Sequence, residues 1–141
     1  TDMNDDYRFV YMGPQGTWTP FHADVFRSYS WSANICGLKK WILYPPGSEK
    51  YLKNNLGNLV FDVTSPEIHN AKTFPLYHEA PQPLVVNQKE GEIMFVPSCW
   101  HHQVTNMKDT ISINHNWING CGVLQTWQHL KSELQLVRVS N

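Results

Sequence analysis

His22 and Asp24 form a His-x-Asp pair at the end of an apolar, β-prone run, and His102 sits far downstream in Val96-Pro97-Ser98-Cys99-Trp100-His101-His102-Gln103-Val104. Two imidazoles and one carboxylate are the donor set that holds a non-haem Fe(II) ion on one face and leaves coordination positions open. Side chains two apart in a strand project to the same face, so His22 and Asp24 can reach one metal together while Ala23 points away. No local turn spans the distance to His102. The fold must return a distant strand beside the first, as a rolled-up antiparallel sheet does.

The elements that would position these residues can be read from pattern and turn chemistry. Residues 7–11 are a dense β-forming run, ended by the turn signal Gly13-Pro14-Gln15-Gly16 and followed by residues 17–24, which reads as a hairpin. Residues 28–36 and 39–44 flank Gly37-Leu38 as a second expected hairpin, stopped by Pro45-Pro46 because proline lacks the ladder donor. Ser48 offers an N-cap for a short helix through about Asn54. Residues 55–83 are irregular, with four prolines, and an insertion this long in a small domain is expected to be functional, here as part of a substrate entrance. Residues 84–86, 92–96, 101–106 and 110–117 read as four more strands. Leu124, Trp127, Leu130 and Leu134 then recur at helical spacing over 123–136, an amphipathic helix expected to cover a sheet or make a subunit contact. Roughly eight strands with a short and a terminal helix predict a mainly β fold, a jelly-roll barrel or sandwich, with the ligand strands meeting at its open end.

Composition narrows the class. With 141 residues the chain fits one domain, and 41% hydrophobic against 16% charged residues argues for a globular fold. Six Trp, six Tyr and six Phe suit a strand-rich interior with rings packed between sheets. A net charge of −1 with no basic cluster beyond Lys39-Lys40 gives nucleic acid and anionic lipid nothing to bind, and no apolar run is long enough to suggest a membrane span. Cys36, Cys99 and Cys121 are odd in number and share no Cys-x-x-Cys spacing, which argues against structural zinc and for a reducing, cytoplasmic setting. The abrupt ends, Thr1-Asp2-Met3 and Val139-Ser140-Asn141, read as a catalytic core taken from a longer protein.

Three segments carry a specific likeness: Thr19-Pro20-Phe21-His22-Ala23-Asp24, Gly37-Leu38-Lys39-Lys40-Trp41, and the run from Gly91 to Val104. In order and spacing they resemble the JmjC 2-oxoglutarate oxygenases across most of the chain. Trp31 to Trp41 and Thr110 to Trp117 resemble the small protein hydroxylase branch in particular. The resemblance implies a double-stranded β-helix, Fe(II) at His22, Asp24 and His102, and 2-oxoglutarate and O2 as cosubstrates. It selects His102 over His101, because the family's distal ligand lies five residues after the proline, here Pro97. Strand alternation agrees, since only one of two adjacent histidines can face the metal, and His101 is expected to be a half-exposed or supporting neighbour. Lys39 is implied as the cation for the far carboxylate of 2-oxoglutarate; alternation puts Lys39, Trp41 and Leu43 on one face and Lys40 on the other. Thr19, Asn114, Asn116 and Asn34 are the further cosubstrate contacts implied. Neutral imidazoles are needed for ligation, so iron binding is expected to weaken as pH falls toward about 6.

The resemblance implies a protein lysyl hydroxylase whose partner is a translation termination factor, acting on carbon. Asp62, Glu67 and Glu79 could guide a lysine cation at the entrance. Two other readings compete. A methyllysine demethylase shares the fold and chemistry but needs a cage for the methylammonium. A non-enzymatic cupin-like metal-binding module would more often present His-x-His with an added Glu, whereas this chain has Asp at the second position.

Overall fold

The computed structural model describes residues 8–139; Tyr7, expected to open the first strand, lies outside them. Among the described residues, eight strands form two four-stranded antiparallel sheets. One has the order β1 (Arg8–Gly13), β8 (Thr110–Trp117), β3 (Tyr29–Cys36), β6 (Ile93–Val96). The other runs β2 (Trp18–His22), β7 (His101–Asn106), β4 (Leu38–Tyr44), β5 (Leu84–Lys89). This is the expected jelly-roll architecture, and all eight strands fall where pattern places them.

Neither expected hairpin forms. β1 pairs with β8 and β2 with β7, so the Gly13–Gly16 turn carries the chain from one sheet to the other. β3 likewise pairs with β6 and β8, and β4 with β5 and β7. Turn residues report that the chain reverses, whereas the burial of alternate faces decides which strand it meets. Gly37 makes the second corner. Its φ is +90°, and a Cβ there would collide with the backbone carbonyl of Asp109 and the Thr110 hydroxyl, so the sheet-to-sheet step needs glycine.

The inner faces are unusually polar on one side. Ser28, just before β3, and Ser30, Ser32 and Asn34 along it fall at every second position and are all buried, as are Ser112 and Gln88. The other sheet contributes Trp41, Leu43 and Val104, which pack with Val96 into a small apolar core. A second core lies outside this sheet, where Leu52, Val60, Val63, Ile68 and Phe74 cover Phe21 and Tyr44. Residues 55–83 are therefore a packed layer with two short 3-10 turns, Pro66–His69 and Tyr77–Glu79. The Glu49–Leu52 segment is also 3-10, and Ser48 is helical in backbone and makes no side-chain cap, so the expected N-cap is absent.

Many rings lie outside rather than between the sheets. Tyr29, Phe95 and Trp117 stack mutually at 5.9–6.2 Å, and His115 continues the row toward Trp31 on the outer face of the β1-β8-β3-β6 sheet. The terminal helix α1 (Val123–Val139) covers neither sheet. It docks on the 3-10 turn Val25–Arg27 and leaves Leu124, Trp127, Leu130 and Leu134 exposed. No helix among the described residues is long and apolar enough to cross a membrane.

The packed layer gives a direct test. Ile68 is 1% exposed, so Ile68→Ala is expected to lower unfolding stability in urea by about 2–5 kcal/mol through lost contacts and a cavity. A change below about 0.5 kcal/mol, the range of surface positions, would show that the layer is loosely attached.

Candidate metal centre and cosubstrate pocket

β2 and β7 bring the two histidines together, because His22 and His102 are direct partners across the antiparallel ladder. Their ring centroids lie 4.5 Å apart. Asp24 follows the end of β2, with extended backbone (φ −56°, ψ 152°), so the i, i+2 relation survives past the last ladder residue. One donor atom from each of His22, Asp24 and His102 falls within 4.8 Å of the others.

The atoms around these three leave a metal-facing lone pair on each. Nδ1 of His22 is 2.7 Å from the Pro20 carbonyl, and Nδ1 of His102 is 3.2 Å from the Trp100 carbonyl. A carbonyl can only accept, so both rings carry a proton on Nδ1, which leaves Nε2 as the nitrogen whose lone pair a neutral ring offers to a metal. The device is the same twice: the carbonyl two residues back orients the ring. Ser30 donates from Oγ to Asp24 Oδ2 at 2.6 Å, which leaves Oδ1 for a cation. Burial, then the nearby His22, pushes the His102 pKa down to about 4, so this ring is neutral through the whole neutral range. The expected loss of iron affinity near pH 6 therefore does not come from His102. The donor set thus fits a divalent metal of the iron type.

A cavity of about 300 Å3 opens beside the three donors, and its wall includes Thr19, Lys39, Trp41, Asn114 and Asn116. Lys39 is only 6% exposed, and none of the described residues forms an ion pair with it. Burial holds its pKa below the usual lysine value. A buried, uncompensated ammonium is costly alone and is relieved by an anion entering the cavity. Trp41 is held by donation from Nε1 to Gln88 Oε1 at 2.9 Å. Asn114 accepts from Ser32, Asn116 donates to Ser28 Oγ, and the Thr19 hydroxyl accepts from the Val104 amide at the irregularity between Thr19 and His22.

Asn34 does not join them. It lies two steps beyond Ser32 toward the Gly37 corner, donates to the carbonyls of Gly37 and Gln88, and is absent from the cavity wall. His101 faces away, as alternation requires, but is buried rather than half-exposed. It rests 5.6 Å from the Phe21 ring with Nε2 3.4 Å from Arg27, and burial followed by the Arg27 charge lowers its pKa. No residue of 55–83 lines this cavity; the segment reaches its edge only where Phe61 meets Trp18 at 5.5 Å. Ser30 and Tyr11, which also line it, escaped the sequence reading. The small polar residues at every second position from Ser28 to Asn34 were the available signal for Ser30.

A jelly roll that gathers two histidines and a carboxylate at one end, above a buried lysine, defines a cupin-like metal-dependent class. The chain belongs to the JmjC domain family: the model described as "JmjC domain, hydroxylase" matches residues 9–117. Similar relatives are the 2-oxoglutarate and iron-dependent oxygenases JMJD4 of Gallus gallus, 63% identical over 134 residues, and of Homo sapiens, 56% identical over 134 residues; each match covers 95% of this chain and 32% of the relative. A plant relative, the arginine-specific demethylase JMJ20 of Arabidopsis thaliana, is 52% identical over 130 residues, covering 89% of this chain and 27% of its own. The chain thus spans about a third of the length of the JMJD4 relatives it matches.

Two expectations follow. Ser30→Ala should weaken Mn(II) binding by about 10- to 100-fold in anaerobic titration calorimetry, the usual cost of losing a carboxylate's orienting partner, while His22→Ala and His102→Ala lose more and His101→Ala loses little. Acid stability of the metal-free protein should also reflect His102. Its folded pKa lies below the ordinary 6.5, so the unfolded chain binds more protons between about pH 6.5 and 4, and stability falls as pH drops through that window by up to about 3 kcal/mol. Urea midpoints at pH 7.5, 6 and 4.5 measure this; a flat profile would contradict a buried neutral His102.

Proposed function

We propose that this domain is the JmjC catalytic core of an Fe(II)- and 2-oxoglutarate-dependent oxygenase, and that it hydroxylates carbon on a lysine side chain of a protein substrate. The observation that carries the reading is the pairing, in one cavity, of three metal-facing donor atoms with a buried lysine that has no anion among the described residues. The relatives named as 2-oxoglutarate and iron-dependent oxygenases support it. When bound, iron and 2-oxoglutarate supply the oxidising power: O2 is reduced as the cosubstrate is decarboxylated to succinate and CO2, and one oxygen atom goes to the substrate carbon.

The residues divide the remaining work. His22, Asp24 and His102 hold the metal, with Ser30 and the Pro20 and Trp100 carbonyls fixing their orientation. Lys39 binds the carboxylate far from the metal, and its burial strengthens that attraction by excluding water. Trp41 forms the apolar wall, while Asn116, Asn114 and Thr19 orient the cosubstrate. The likeness to the small hydroxylase branch supports a translation termination factor as substrate and a cytoplasmic setting, to which three free cysteines are suited.

Lys39→Ala should raise the 2-oxoglutarate concentration needed for half-maximal succinate formation by about 10-fold or more, the cost of an unpaired buried carboxylate, with Mn(II) affinity retained. Lys40→Ala, on the opposite face, should change it little. Mass spectrometry of a termination-factor fragment after incubation with Fe(II), 2-oxoglutarate and O2 should show a gain of one oxygen on lysine. The name of the plant relative favours a second reading, demethylation. Loss of methyl groups from a methylarginine or methyllysine peptide, without oxygen gain on lysine, would select it.

A further inference from the structure

A second cavity, of about 390 Å3, shares a wall residue, Trp18, with the first. Its floor is apolar, made by the buried Val60, Ile68 and Phe74. Phe61, whose ring meets Trp18 edge-on, and the acidic residues Asp62 and Glu67 also line it.

Asp62 is held rigidly and is only half used. Its Oδ1 accepts from the Thr64 amide at 2.8 Å, the Thr64 hydroxyl at 2.6 Å and Gln103 Nε2 at 2.7 Å, whereas Oδ2 takes none of these bonds. Gln103 is itself buried and anchored by the Val63 amide, so the carboxylate cannot swing away. Burial raises the Asp62 pKa but those hydrogen bonds outweigh it, and the group stays ionised at neutral pH. The ion pairs among the described residues are His78 with Glu79 and His129 with Glu133, so no described lysine or arginine pairs with Asp62 or Glu67.

An apolar floor under uncompensated carboxylates matches a long basic side chain, which lays its methylenes on the floor and keeps its cation at the rim. Trp18 lines both cavities, so a peptide laid across it would put such a side chain in the second cavity while another of its residues enters the first. We propose that this cavity is a subsite for a lysine or arginine that flanks the target residue in the protein substrate, with Trp18 and Phe61 as the divider between the two positions. The proposal rests on the oxygenase reading for the identity of its ligand as substrate, but its binding chemistry can be measured without turnover.

The test uses fluorescein-labelled 13-residue peptides with a central lysine in a Gly/Ser/Ala background, each carrying one arginine moved through the flanking positions, with citrulline controls. Anisotropy titrations are run against the protein with and without Mn(II) and 2-oxoglutarate, under nitrogen. At one flanking position arginine should bind about fivefold more tightly than citrulline, the scale of a partly exposed ion pair, in both conditions. Glu67→Gln should remove that preference and Glu67→Lys should invert it, with thermal stability and Mn(II) affinity unchanged. An arginine effect that is the same at every position, or one that persists in Glu67→Lys, would overturn the subsite. A parent protein that binds the arginine peptide selectively yet never decarboxylates 2-oxoglutarate would leave the subsite standing and count against the oxygenase reading alone.

Discussion

The ladder between β2 and β7 is the constraint on which the site depends. It sets His22 against His102 across strands far apart in sequence, and antiparallel register fixes the pair to within a residue, because a slip of one would turn either ring to the outer face. The outer alternative is visible in His101, which sits among Phe21 and Arg27 beneath the 55–83 layer. Once the ladder is formed, Asp24 needs only two more extended residues to complete the donor set.

The barrel reverses the usual division of labour between inside and outside. One inner wall is lined by serines and asparagines, of which Ser32 pairs with Asn114 and Ser28 with Asn116 while Asn34 Oδ1 and Ser112 Oγ have no partner among the described residues, and the interior beside it holds a cavity instead of a full core. Much of the apolar packing lies outside, where residues 52–74 close over the β2-β7-β4-β5 sheet. Binding and stability are thereby separated: the inner face keeps polar atoms free for ligands, and the outer layer clamps the sheet that carries His22, Lys39 and His102.

The charges inside are unfavourable until a ligand arrives. Lys39 is buried with no ion-pair partner among the described residues, and two histidines, of which burial keeps His102 neutral, face one carboxylate whose second oxygen is open. A cation at the donors and an anion at Lys39 would each relieve a local imbalance, and a ligand with a carboxylate at either end could serve both. Phe26 and Arg27, left-handed in backbone, lie just after Asp24, with the Arg27 amide on the Asp24 carbonyl, and the Ser98 hydroxyl on the Arg27 carbonyl joins them to the left-handed Cys99; such strain is commonly tolerated for positioning.

Period-two patterning was enough to reveal eight strands, to set His22 and Asp24 on one face and to group Lys39, Trp41 and Leu43 on another, because each depends only on which face a strand residue takes. The choice of His102 and the role given to Lys39 rest on the family resemblance, and the structure brings His22, Asp24 and His102 together. Pairing was not legible: the Gly13–Gly16 and Gly37 turns look like hairpins in sequence yet carry the chain between sheets. Residues 55–83 look loose because their apolar residues, Val60, Val63, Ile68 and Phe74, have no period, and only the sheet they cover gives them one. Asn34 shares its face with Ser30 and Ser32, but depth along the barrel, a tertiary coordinate, removes it from the cavity and brings in Ser30. Alternation along a strand is local and survives in one dimension; which strands meet, and how far along them the cavity reaches, is decided by packing among residues distant in the chain.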